Sequence, residues 1–226
     1  MSLSPPPSSS TTSLTTSASP FPTIYTPSTT TGDSSNSSDF VFPPQYSFPP
    51  FFTLQPNATT RASQLSSWST LIQSYCRYHR LFSLVLVDAI QTPLFTNSKL
   101  SRALSLRDAQ TILSWMASPE GGRRAEFADT GGKDAAKSSG EGGGGKVWIY
   151  WRRPEEWAEM LERWVEGTGQ KGAVLTLYEL VESDAVRKEE WAGMEGEMLR
   201  KSLNVLVKRG RAQIFGQGEE LGVKFF

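Results

Sequence analysis

The sequence predicts an α+β fold, mainly helical with small β-hairpins, in which one order of elements occurs twice behind an N-terminal tail. Three observations carry this. Residues 1–39 contain 28 Ser, Thr or Pro and only two charged residues, Asp33 and Asp39, too little apolar surface to offset the entropy of ordering. Beyond Thr60, apolar residues recur at three-and-four spacing, the period of a helix with one buried face. Each set of such runs is followed by short β-branched and aromatic stretches around turn residues, KVWIYW in the first set and RAQIF with VKFF in the second, which is hairpin patterning.

The first helix is expected from Thr60, with Leu65, Trp68, Leu71, Ile72, Tyr75, Cys76 and His79 on its inner face. A shorter apolar piece, residues 83–90, ends at Thr92-Pro93. Ser105 opens a third helix as a capping box, with Asp108 reaching back, and Leu106, Ala109, Ile112, Leu113 and Met116 face inward. Strand candidates follow at residues 125–128 and 146–151. Three helices and a two-stranded ribbon are the order of a winged helix. Between the strands lies TGGKDAAKSSGEGGGG, residues 130–145, placed where a hairpin tip tolerates an insertion.

The order then repeats. Pro154, Glu155 and Glu156 start a helix, with Pro at the first helical position and acids at the positive dipole end. Trp157, Met160, Leu161, Trp164 and Val165 form its inner face. Thr176 caps the short helix LYELVES. Trp191, Met194, Met198, Leu199, Leu203, Leu206 and Val207 mark a third, closed by Lys208, Arg209 and Gly210. The expected organisation is a disordered tail at 1–40, a Pro-aromatic segment at 41–56, a first winged helix at 57–151 and a second at 152–226.

Composition narrows the chemistry. Lys plus Arg equals Asp plus Glu, 23 each, so no overall field draws the chain to nucleic acid or anionic lipid. One cysteine, Cys76, excludes an internal disulfide framework and a Cys-rich zinc site. Cys76 with His79 at i+3 lacks an orienting third group for catalysis. No run approaches the roughly 20 apolar residues of a membrane-spanning helix. The first basic residue is Arg61, so neither a signal peptide nor a transit peptide is expected, and the chain is expected in the cytoplasm. The N-x-Ser/Thr triplets at Asn36 and Asn57 then read as chance matches. Gly140, Gly145 and Lys146 imitate a P-loop, but Val147 stands where Ser or Thr is required. Glu155, Glu159 and Arg163 step by four as a solvated face does. No enzyme, cofactor or metal is therefore expected. Arg200, Lys201, Lys208, Arg209 and Arg211 keep a DNA-binding reading open, against which Glu195, Glu197, Glu219 and Glu220 lie nearby.

The segment FPPQYSFPPFFTLQP, residues 42–56, is uncharged. Proline excludes it from a helix interior or central strand, and an extended course close to polyproline II is expected. Its aromatics must bury either against the chain's own globular part or against a partner, and because both halves already have their own apolar faces a partner is the expected destination. PPQY taken by itself also reads as a WW-domain ligand.

FPPQYSFPPFFTLQPN, WRRPEEW at 151–157, LTLYEL at 175–180 and the terminal GVKFF together resemble the vacuolar protein-sorting-associated protein 25 family, the small subunits of ESCRT-II. ESCRT-II is the second endosomal sorting complex required for transport. The resemblance covers residue 40 to the end. It implies two winged helices used for protein contacts, with Pro43, Pro44, Tyr46, Pro49, Pro50, Phe51 and Phe52 as anchors on the two larger ESCRT-II subunits. It further implies two copies per complex, and recruitment of an ESCRT-III subunit by the second winged helix. The setting implied is the endosomal membrane, with the complex bound peripherally to sort ubiquitinated cargo into multivesicular bodies.

Overall fold

The structure, a computed structural model, describes Met1 and residues 39–128, 145–216 and 221–226. The Ser/Thr/Pro tail and, apart from Gly145, the glycine-rich insertion lie outside the described residues. Residues 39–226 form one compact unit.

Helix α1 runs Ala58–Tyr78, started by Asn57, whose Oδ1 accepts the Thr60 N–H at 3.1 Å. Strand β1 (Ser83–Val85) leads directly into the one-turn α2 (Leu86–Ala89). A small hairpin, β2 (Thr96–Asn97) and β3 (Arg102–Ala103), precedes α3 (Leu106–Ala117). Ser105 Oγ accepts the Asp108 N–H at 3.0 Å, the first half of the expected capping box. Strands β4 (Ala125–Phe127) and β5 (Lys146–Ile149) pair antiparallel, Phe127 opposite Val147, so the glycine-rich insertion joins neighbouring strands.

The second half repeats the plan with α4 (Pro154–Gly167), β6 (Val174–Thr176), α5 (Leu177–Val181), α6 (Gly196–Lys208), β7 (Ala212–Phe215) and β8 (Gly222–Phe225). Thr176 and Glu179 form a reciprocal capping box at 2.7 and 3.1 Å. At the end of α6, Gly210 takes φ +68°. The Gly210 and Arg211 N–H groups donate to Val207 and Leu206 carbonyls at 3.0 and 2.9 Å, a Schellman stop.

Leu106 and Val207, expected on inner faces, are exposed, and two further expectations need correction. Each sheet has three strands, in the orders β1-β5-β4 and β6-β8-β7. The added strands, β1 and β6, are three residues long and run straight into a helix, which hides their period. Trp191 and Met194 precede α6 rather than belong to it, yet both are buried, and Trp191 Nε1 donates to the Leu180 carbonyl at 2.9 Å.

The halves correspond residue by residue. Ser83 pairs with Trp148 where Val174 pairs with Lys224, and Ala125 pairs with Ile149 where Ala212 pairs with Phe225. Trp148 thus corresponds to Lys224, and Tyr150 to Phe226. Strand β5 serves two cores at once. Val147 and Ile149 belong to the first, with α1 and α3, while Trp148 and Tyr150 join Trp157, Trp191, Met194 and Met198 in the second, as alternation along a strand requires. Polar ties cross the same boundary. Glu195 accepts from Ser83 Oγ at 2.5 Å and from Lys146, and Glu190 pairs with Arg77 and Arg152 at 2.8 Å each. Glu126 takes Lys201 at 2.5 Å and the Tyr150 hydroxyl at 2.6 Å. Such partly solvated pairs each contribute little; the shared apolar wall dominates.

Candidate protein-docking site

The Pro-aromatic segment is not an extended strand. Residues Pro44–Ser47 and Pro49–Phe52 each form a single 3₁₀ turn. Tyr46 N–H donates to the Pro43 carbonyl at 2.9 Å and Phe51 N–H to the Phe48 carbonyl at 2.9 Å. Proline occupies the opening positions of both turns, where no N–H is needed and φ is already set. That is why Pro-Pro favours a turn here over a polyproline helix.

The turns sort the seven predicted residues into two groups. Tyr46, Phe51 and Phe52 point into the chain's own first core, at 6%, 1% and 3% exposure. Pro44, Pro49 and Pro50 face outward beside half-exposed Phe48, and Pro43 lies between. A partner was the expected destination of the aromatics; instead this chain's own globular part receives all three.

Each aromatic is held by geometry as well as burial. The Phe51 ring stacks on Trp68 at 4.4 Å, and Phe52 meets Trp68 edge-on at 5.8 Å. The Phe51 carbonyl accepts from Trp68 Nε1 at 3.1 Å and Gln64 Nε2 at 2.9 Å. Gln64, buried on α1 one turn before Trp68, also donates to the Thr53 carbonyl at 3.0 Å and accepts the Gln55 N–H at 3.1 Å. Tyr46 stacks on Phe42 at 4.0 Å. Its hydroxyl donates to the Pro93 and Thr96 carbonyls, the latter at 2.9 Å, sharing one proton between them. Asn97 Nδ2 grips the Tyr46 carbonyl at 2.8 Å. Burial, and then the neighbouring Tyr75, push the Tyr46 phenol up to about 12. Sequence reasoning missed Gln64 and Asn97. The available signal for Gln64 was an amide on the apolar stripe of α1, four residues before Trp68.

The other candidates resolve as structural. Cys76 is fully buried, its thiol pushed well up by desolvation, and His79 is an exposed helix end. Among the described residues no group of three or more His, Cys, Asp or Glu is placed to hold a metal, and no helix is long and apolar enough to cross a membrane. Lys146 enters β5 and lies 4.3 Å over the Trp148 ring, unlike a phosphate-binding lysine. Of the basic residues at the second helix end, Lys201 pairs with Glu126, Arg209 with Glu159 at 3.6 Å, and Arg211 with Glu162 at 2.5 Å. That internal neutralisation leaves little for phosphate.

Residues 45–195 match the family described as ESCRT-II complex subunit. The chain belongs to that family. It is 40% identical over 187 residues to vacuolar protein-sorting-associated protein 25 of Xenopus laevis, covering 83% of this chain and 99% of the relative. To the same-named protein of Homo sapiens it is 38% identical, covering 83% and 98%. The crystal structure of subunit VPS25 of the endosomal trafficking complex ESCRT-II superposes with a TM-score of 0.67 at 30% identity, covering 81% of this chain and 98% of that one. A chain of the ESCRT-II endosomal trafficking complex gives 0.69 at 30%, covering 84% and 100%. The family resemblance and the α+β fold read from the sequence therefore hold for this ESCRT-II family member.

Proposed function

We propose that this chain is the small, non-catalytic subunit of an ESCRT-II complex acting in endosomal sorting, and that the segment at residues 42–52 is its dock for the two larger subunits. The observation that carries the reading is the two-sided build of that segment. Inward aromatics bolt it to α1 through Gln64 and Trp68, while Pro44, Phe48, Pro49 and Pro50 form an outward ridge. A ridge fixed before binding loses little entropy on docking. A solved relative is the crystal structure of an endosomal complex of VPS22, VPS25 and VPS36, which supports larger ESCRT-II subunits as the partners. Of the seven anchor residues, Pro44, Pro49 and Pro50 make the contact; Pro43, Tyr46, Phe51 and Phe52 hold the ridge in shape. Two copies per complex, peripheral recruitment to endosomes and delivery of ubiquitinated cargo to multivesicular bodies belong to the same proposal, which family membership supports.

Recruitment of an ESCRT-III subunit belongs to the second winged helix. The outer face of its sheet, whose first-half counterpart is covered at Trp148 and Tyr150, leaves Val174 at 60% and Phe226 at 46% exposure.

Co-purification with the larger subunits tests the dock. Phe48→Asp with Pro49→Ser and Pro50→Ser abolishes complex formation while the thermal transition stays near that of wild type. Retained complex would refute the ridge. The WW-ligand alternative requires an accessible Tyr46, and its burial argues against it.

A further inference from the structure

The Pro-aromatic segment is fastened to α1 at two places. It runs antiparallel to the helix: Gln55 meets Gln64, Phe51 meets Trp68, and Phe40 and Phe42 meet Tyr75. Trp68 and Tyr75 are seven residues apart, about 10 Å along a helix axis. Pro44, Pro49 and Pro50 lie in the chain between the two attachments, so the ridge is a strut held at both ends.

The attachment on the side of the N-terminal tail is built from rings. Phe40 and Phe42 both pack against the first core, whereas Val41 between them is 85% exposed, the alternation of an extended chain. Phe40 meets Phe42 at 5.0 Å, Tyr75 at 5.2 Å and Tyr78 at 5.5 Å, edge-on in each case. His79 closes the cluster, 4.3 Å from Tyr75 and 5.0 Å from Tyr78. The Phe42 ring covers one face of Tyr46, and Tyr46 meets Phe52 edge-on at 5.2 Å. An unbroken run of ring contacts thus joins the C-terminal end of α1 to Trp68, and ring pairs in these geometries contribute beyond their burial.

We propose that Phe40 and Phe42 are positioning residues of the dock: clasped by Tyr75, Tyr78 and His79, they hold the first 3₁₀ turn in its binding shape without touching the partner. This rests on the docking role proposed above and adds what keeps the ridge ready for it. Phe51 and Phe52 fix the second turn directly on Trp68. The first turn hangs on Tyr46, and removing the clasp uncovers the Tyr46 ring and frees the chain on its tail side. A turn released in this way holds the bound shape for only part of the time, and apparent affinity falls in proportion to that fraction. The loss appears in the rate of association, because a complex once formed keeps the same contacts as before.

The test compares the full chain with its Phe40→Ala, Phe42→Ala variant for binding to the immobilised larger ESCRT-II subunits, reading both rate constants. Association slows about tenfold, as it does when the competent fraction drops to about a tenth, and dissociation stays at the wild-type rate. In the free variant, the Tyr46 and Phe48 amides, which donate to the Pro43 and Gln45 carbonyls at 2.9 and 3.0 Å, exchange faster. Phe40→Tyr with Phe42→Tyr keeps the rings and restores the association rate. Dissociation that quickens while association holds would show that the rings touch the partner, and the positioning role falls. Unchanged rates in the alanine variant, with binding lost in the Phe48, Pro49 and Pro50 variant, refute the clasp and leave the ridge standing. Wild-type binding by both means that the dock itself is wrong. Should the double substitution lower the melting of the whole chain, Phe40→Ala alone leaves the Phe42 stack on Tyr46 in place and carries the same comparison; an unchanged association rate there overturns the proposal.

Discussion

Trp148 and Ile149 are neighbours on β5 yet lie in different hydrophobic cores. The strand is buried on both faces, so its near-continuous apolar sequence reflects two packing partners rather than one.

Trp148→Ala should therefore disturb both halves. Removing a buried tryptophan costs about 3–5 kcal/mol. Urea unfolding followed by circular dichroism, with amide exchange, should show that loss together with weakened protection in α6 as well as β5. Loss of protection confined to β5 would contradict a shared wall.

Gln64→Leu should loosen the segment at residues 42–56 more than it disturbs α1. The change leaves the partly buried Gln55 N–H without its acceptor, at about 1 kcal/mol, while the Thr53 carbonyl keeps its bond from Gln55 Nε2 at 2.8 Å. Faster exchange of the Gln55 amide, with α1 still protected, is the expected signature.

Tyr46 makes the fold sensitive to alkali. Its phenol ionises near 10 in the unfolded chain and at about 12 in the folded one, because burial, and then the neighbouring Tyr75, disfavour the phenolate. The stabilisation is fully present below pH 10 and is lost as pH rises toward 12. Tyr46→Phe should have a shallower decline over that window, seen by comparing thermal transitions of the two proteins across pH. Parallel curves would show that Tyr46 does not carry the effect.

Glu126 governs the acid side in the opposite sense. Partial burial pushes its carboxyl up, but hydrogen bonds from Lys201 and Tyr150 outweigh that and hold it below its ordinary 4.5. Its contribution is present above that value and is lost as pH falls through the lower folded one. Glu126→Gln should flatten the stability profile below about pH 4.5, while leaving the profile above pH 7 parallel to wild type.

The helices were legible because their signals are local. The Ser105 and Thr176 caps, the Pro154 start and the Gly210 stop all depend on residues within one turn, whereas the Asn57 cap went unread and α1 starts at Ala58, before the expected Thr60. Strands β1 and β6 were not, because three residues carry too little alternation to stand out. The site was half legible. Its position and its aromatic anchors could be read, but not that Tyr46, Phe51 and Phe52 pack at home. That outcome depends on how wide a stripe α1 buries. Gln64, Leu65, Trp68, Ser69, Leu71, Ile72, Tyr75 and Cys76 are all inward, an arc broad enough to take α3 on one side and the Pro-aromatic turns on the other. The two serine and glutamine positions in that arc disguised its breadth.

A strand walled in on both sides also leaves no room for a hinge. With Val147 and Ile149 locked into one body and Trp148 and Tyr150 into the other, the two halves keep one angle and one spacing. On the docking role proposed above, a partner on the proline ridge holds the open sheet face around Val174 and Phe226 at a set distance and heading. The chain works as a bracket, and the span of any assembly built on it is measured out by a single strand.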